Sequence, residues 1–178
     1  MRNHTVATIL TALVVVSAGF CYAQQTPPSL HPAPSTLKPP SVNLMQEILA
    51  AWSTMDPANA APYYDQSSNN VFFDILPMKY SGFANYAKGA ADVLAGFRSL
   101  TFTLGNDAQV HLHGSLAWAT ATWGLTGTLK TGNKAAMDGR WTVVWEKKGD
   151  RWLIVHEHVS VPSPPLPSGD VNTGKPGM

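Results

Sequence analysis

The chain has 178 residues, a formal net charge of +1, and 13% charged against 44% hydrophobic residues. No basic stripe or lysine run occurs, so nucleic acid and anionic membrane surfaces are excluded as electrostatic partners. The single cysteine, Cys21, excludes an internal disulfide framework.

In chain order, Arg2 and His4 give a short polar start, and Val6 to Phe20 is apolar apart from Thr and Ser. Cys21-Tyr22-Ala23 follows with small residues at cleavage positions. Residues 1–23 therefore read as a secretion signal cut after Ala23, too short and too softly flanked for a membrane span. A lipoprotein signal needs a small residue before its cysteine, and Phe20 stands there instead. The expected product is a secreted or periplasmic bacterial protein, close to neutral once Arg2 is gone. Residues 24–40 carry Pro27, Pro28, Pro32, Pro34, Pro39 and Pro40 and predict an extended linker. Residues 162–178 repeat that character, which leaves one domain at 41–161.

Asn43, with Gln46 three residues on, predicts a capped helix start. Leu44, Ile48, Trp52 and Met55 then recur at helical spacing. Asp56-Pro57 is a second start signal, for a short helix through Tyr64. Val71 to Leu76 reads as a strand. Ser81-Gly82 opens a third helix with Phe83, Tyr86, Ala90, Val93, Leu94 and Phe97 on its apolar side. Gly89 and Gly96 weaken it intrinsically, so packing must hold it. From Leu100 the pattern turns to strands: 100–105, 108–113, 116–130, 137–147 and 152–161, with turns at Gly105-Asn106-Asp107, Gly114-Ser115, Thr131-Gly132-Asn133 and Gly149-Asp150. Helices first and hairpin-linked strands afterwards predict an α+β fold, an antiparallel sheet with helices on one face. Gly124, Gly127 and Gly139 are the expected bulges or kinks of a strongly curved sheet.

The last strand is the most informative. Simple alternation puts Trp152, Ile154, His156 and His158 on one face and Leu153, Val155, Glu157 and Val159 on the other. Two imidazoles on the Trp152/Ile154 face predict a polar-lined hollow. Glu157 is expected to face away and pair with a neighbouring cation or a second subunit. Asp74, between apolar neighbours in Phe-Phe-Asp-Ile-Leu, is a candidate general base with a raised pKa, or a carboxylate satisfied by its loop or by Lys79. His156 and His158 could donate to a carbonyl or shuttle protons, or bond backbone carbonyls, Ser160 or Tyr80. The pairs His111/His113 and His156/His158 raise a metal site, but Val110 and Leu112 look like the inward residues of their strand, and no metal is expected. Trp52, Tyr80, Trp141 and Val143 are the expected ligand contacts. No nucleophile elbow, phosphate-cradling loop or dinucleotide fingerprint occurs, so no cofactor is expected.

Three segments, Phe72 to Gly82, Trp141 to Lys147 and Trp152 to Ser160, carry a resemblance to the SnoaL-like domains of the nuclear transport factor 2-like superfamily, including secreted ketosteroid isomerase homologues. The last segment is also similar to the Trp-Ile-His-His-Ser ending of the calcium/calmodulin-dependent protein kinase II association domain, an oligomerisation module. The resemblance implies a cone-shaped sheet wrapped around three N-terminal helices. It implies proton transfer beside a carbonyl by an aspartate near Asp74, with His156, His158 or Tyr80 polarising the oxygen. The functional expectation is an exported domain holding a small, largely apolar ligand, with isomerase-like chemistry; the alternative is a non-catalytic ligand-binding or dimerisation module. Strands apolar on both faces motivate a homodimer through the outer face of the sheet.

Overall fold

The structure is a computed structural model that describes residues 36–163. The segment expected to be a secretion signal (1–23), residues 24–35 of the proline-rich leader and the tail from 164 lie outside the described residues. Among those described, no helix is long and apolar enough to cross a membrane.

Helix α1 (Val42–Ser53) buries Leu44, Met45, Ile48, Leu49, Ala51 and Trp52, the i, i+4, i+8 stripe that the spacing predicts. Met45 and Ile48 have no exposed surface, and each contributes roughly 1.5–3 kcal/mol of burial. Its cap is Ser41, whose hydroxyl accepts from Leu44 N at 3.3 Å, and not Asn43, which lies inside the first turn. Asp56 caps α2 (Pro57–Ala60), accepting from Ala58 N, and a 3-10 turn continues to Tyr63. The third helix, α3 (Phe83–Leu94), starts at Gly82 with φ 75°, a backbone region that favours glycine. Gly89 has a packing reason: a Cβ there would overlap the Tyr80 ring.

Seven strands form one sheet in the order β2-β1-β7-β6-β5-β3, with β4 paired to β5. They are β1 (Val71–Phe73), β2 (Lys79–Ser81), β3 (Phe97–Leu104), β4 (Gln109–His113), β5 (Leu116–Leu129), β6 (Lys134–Lys148) and β7 (Arg151–Ser160). The short β2 was not expected from the sequence. The sheet is mixed, because β1 runs parallel to β7. Strand β5 changes partner along its length, pairing its first half with β4 and its second with β3. Asp107 sits at that junction and accepts from both the backbone N–H and the hydroxyl of Thr122. The sheet curls round the helices without closing into a barrel, and Met45, Ile48, Tyr64, Phe72, Trp145 and Ile154 fill the space between.

The three expected glycines lie in unbroken register between β5 and β6, so none of them is a bulge there. Register shifts occur instead between Phe97 and Ser99 and opposite Val144/Trp145. The second decides where the site is. Trp145 pairs with Ile154 and Val144 with His156, so Val155 is an extra residue in β7. One inserted residue exchanges the faces of everything beyond it. Another difference from expectation lies at the leader's end. Thr36 is buried, its carbonyl accepts from Trp152 N at 2.8 Å, and its hydroxyl accepts from Arg151 Nε at 3.1 Å. The last residues of the predicted linker are thus docked on β7.

Candidate active site

A cavity of about 280 Å³ lies between α1, α3 and the concave side of the sheet, extending from Leu49 and Trp52 to Ala135 and Met137. Its wall is almost wholly hydrocarbon and aromatic ring; two carboxyl groups, Asp74 and Glu157, enter it.

Glu157 is in the cavity because of the Val155 insertion. Trp152 and Ile154 point inward, and after the extra residue so do Glu157 and Val159, while His156 and His158 turn outward. Only 1% of Glu157 is exposed. Its Oε2 accepts from the Tyr64 hydroxyl at 3.0 Å and from Trp141 Nε1 at 3.1 Å. Trp52 Nε1 donates in turn to the Tyr64 oxygen at 3.0 Å, and Tyr86 bears on the same carboxylate. Burial dominates and pushes the Glu157 carboxyl up to about 7; the donors from Tyr86, Trp141 and Tyr64 oppose that shift, and the charge of Asp74 reinforces it. Burial, and then the Glu157 charge, hold the Tyr64 and Tyr86 phenols well above their ordinary value, so both remain donors.

Asp74 follows β1. Phe72 is paired with Glu157 and Phe73 with His158, so alternation returns Asp74 to the Phe72/Glu157 side. Burial raises its carboxyl, and the Ile75 N–H, 2.7 Å from Oδ1, opposes the rise. Two carboxyl groups, both raised by burial and that of Glu157 to about 7, thus face one apolar hollow.

Of the residues chosen from sequence, Asp74, Trp52 and Trp141 line the cavity. The others do not. Val143 is fully buried behind the wall. Tyr80 packs on Tyr86, its hydroxyl donating to the Leu76 carbonyl at 3.3 Å; it braces the loop that carries Asp74. His156 Nδ1 lies 2.7 Å from the Val71 carbonyl, and both imidazoles meet Phe73 edge-on on the outer face. They cannot polarise a ligand in this cavity. His111 stacks on Trp118, also outside, while Val110 and Leu112 pair with the buried Ala119 and Ala117 on the inward face, as expected, although Leu112 is 55% exposed there. Among the described residues, no three His, Cys, Asp or Glu side chains are grouped to hold a metal. Glu157 and Tyr86 were missed as site residues. No signal within β7 itself marks Glu157, because the extra residue is seen only in the pairing with β6.

The sequence model of the SnoaL-like domain matches residues 42–164. Solved structures share the fold. A nuclear transport factor 2-like superfamily protein of Salmonella enterica aligns with TM-score 0.62 and 22% identity over 75% of this chain and 96% of its own. The association domain of the C. elegans kinase CaMKII gives 0.54 and 22% over 67% and 92%. A candidate dehydratase of the NTF2-like family from Streptomyces avermitilis gives 0.56 and 17% over 65% and 88%. No curated protein matches the sequence.

Proposed function

The chain belongs to the SnoaL-like domain family, and from that premise we propose that its cavity binds a small, largely apolar carbonyl compound and moves a proton on it. The observation that carries this reading is the Asp74/Glu157 pair facing one apolar hollow. Asp74, as carboxylate, takes a proton from the carbon next to the carbonyl. Glu157, as carboxylic acid, hydrogen-bonds the carbonyl oxygen as negative charge develops there, where a water-poor wall strengthens the bond. Return of the proton from Asp74 to a different carbon of the conjugated system gives an isomer; return to the same carbon gives exchange only. Tyr64, Tyr86 and Trp141 position Glu157. The apolar stretch Val6 to Phe20 supports export as the setting.

Deuterium wash-in tests this. With 2-tetralone in deuterated buffer, the protein accelerates exchange beside the carbonyl. Asp74→Asn lowers that rate by about 10²-fold or more, the range for a lost general base, while 2-tetralone binding persists. Unchanged exchange in Asp74→Asn removes it as the base.

A second reading has its own observation. Leu116 and Trp118 are 46% and 43% exposed on the outer side of the sheet, where a second copy would cover them. On this reading the protein is a dimer and its cavity binds without reacting. Binding of 2-tetralone with no exchange at all favours it; a dilute monomer by light scattering removes the dimer.

A further inference from the structure

Burial along one wall of the hollow runs in a single direction. Phe72 of β1 pairs with Glu157, and the chain then continues through Asp74 to Leu76. Glu157 is 1% exposed, Asp74 is half-buried and Leu76 is 72% exposed, yet all three line the same cavity. Asp74 and Leu76 lie two and four residues beyond the level of Glu157, roughly 7 and 14 Å at full extension. Glu157 therefore stands at the deep part of this wall, Asp74 comes next, and Leu76 is at the opening.

Leu76 is not alone there. Val93 of α3 and Met137 of β6 also line the cavity, and they are 54% and 41% exposed. A side chain that is both part of the wall and open to solvent stands where the wall ends. The opening is thus collared by three apolar side chains, one each from the loop after β1, from α3 and from β6. A single exposed apolar residue needs no explanation. Three that adjoin one apolar cavity do, because the collar continues the wall outward. Hydrocarbon emerging from the hollow covers them; a polar substituent meets carbon and a thioether.

We propose that the ligand is longer than the hollow: a ketone whose carbonyl sits at Glu157 and whose hydrocarbon chain leaves between Leu76, Val93 and Met137. These three residues select for chain length. This deepens, and rests on, the reading of the cavity as a carbonyl-binding site. It also sets the ligand's direction, with the carbon beside the carbonyl at the level of Asp74. The competing occupant of the collar is the chain's own C-terminal segment, since Ser160 at the end of β7 pairs with Arg140, three residues from Met137.

A homologous series of methyl ketones, from 2-hexanone to 2-dodecanone, tests it. Calorimetry on the unmutated protein should give one site, with affinity rising about two- to fourfold for each added methylene through the longest member. Fourfold is the effect of burying a CH₂ group completely. Leu76→Ser and Val93→Ser alter exposed side chains and should flatten the rise over the longest ketones. Leu37→Ser is the control: Leu37 is 66% exposed but is no part of the wall, and its replacement should leave the rise unchanged. An affinity that stops rising within the series, while the short ketones and 2-tetralone still bind, overturns this inference and leaves the carbonyl site standing. So does a rise that survives both collar substitutions. A rise seen only after removal of residues 164–178 also overturns it, and gives the collar to the chain's own tail. Failure of every ketone to bind overturns both readings. The rise is read first in the unmutated protein, so the test survives a variant that does not fold.

Discussion

The two ends of the β5–β6 ribbon are built from the same strands and have opposite interiors. At one end Trp145 faces Ala117 and Val143 faces Ala119, each large residue answered by a small one, and all four are buried without exposed surface. At the other end Ala135 faces Gly127, small against small, and the cavity opens beside them. A solid half thus anchors the fold and a hollow half is left for a ligand, with Glu157 at the seam. The hollow is encoded by missing volume, since its walls are as apolar as the core.

The largest expected effect tests the solid end. Trp145→Ala should cost about 3–5 kcal/mol in chemical denaturation, the range for deleting a buried aromatic. Leu125→Ala, which trims a half-buried side chain already facing space, should cost no more than about 2 kcal/mol. Equal losses would show that the two ends are packed alike.

The seam responds to pH. The folded state holds the Glu157 proton up to about 7, against an ordinary value of 4.5, so the native protein binds more protons in that window than the unfolded chain. Stability therefore falls as pH rises from about 4.5 to about 7 and levels off above it. The Glu157 contribution is roughly 3 kcal/mol, and burial of Asp74 acts in the same direction. Glu157→Gln cannot ionise. The difference between wild-type and variant denaturation curves from pH 4 to 8 should change by that amount; parallel curves would mean that the carboxyl is solvated.

The sequence made most of the frame legible and about half of the cavity. Helical spacing found the α1 stripe, Asp56-Pro57 found α2, and turn residues found the five long strands, because each of these is a local signal. Asp74 was legible from its apolar neighbours. Glu157 was not, because its direction depends on where Val155 is inserted, and β7 alternates without interruption when read alone. The bulge exists only in the pairing of β7 with Val144 and Trp145. His156 and His158 were misplaced by the same residue. Ser41 and Asn43 are both good caps, and only the position of the first turn chooses between them. Thr36 was hidden among prolines because its partners, Arg151 and Trp152, are more than a hundred residues away.

The smallest effect on stability should accompany a complete effect on binding. Ala135 lies on the inner face of β6 with Met137, Gly139 and Trp141, opposite Gly127. In a filled core, enlarging alanine to leucine strains the structure by about 1–3 kcal/mol. Here the added carbons enter the hollow, where newly buried hydrocarbon offsets local adjustment, and Ala135→Leu should shift stability by less than about 1 kcal/mol. The same carbons occupy the space a ligand needs, so 2-tetralone binding and deuterium exchange should both disappear while the denaturation midpoint barely moves. A large loss of stability would show that this end is closed in solution. Retained binding would place the ligand elsewhere on the molecule, and the Asp74/Glu157 pair would then need another account.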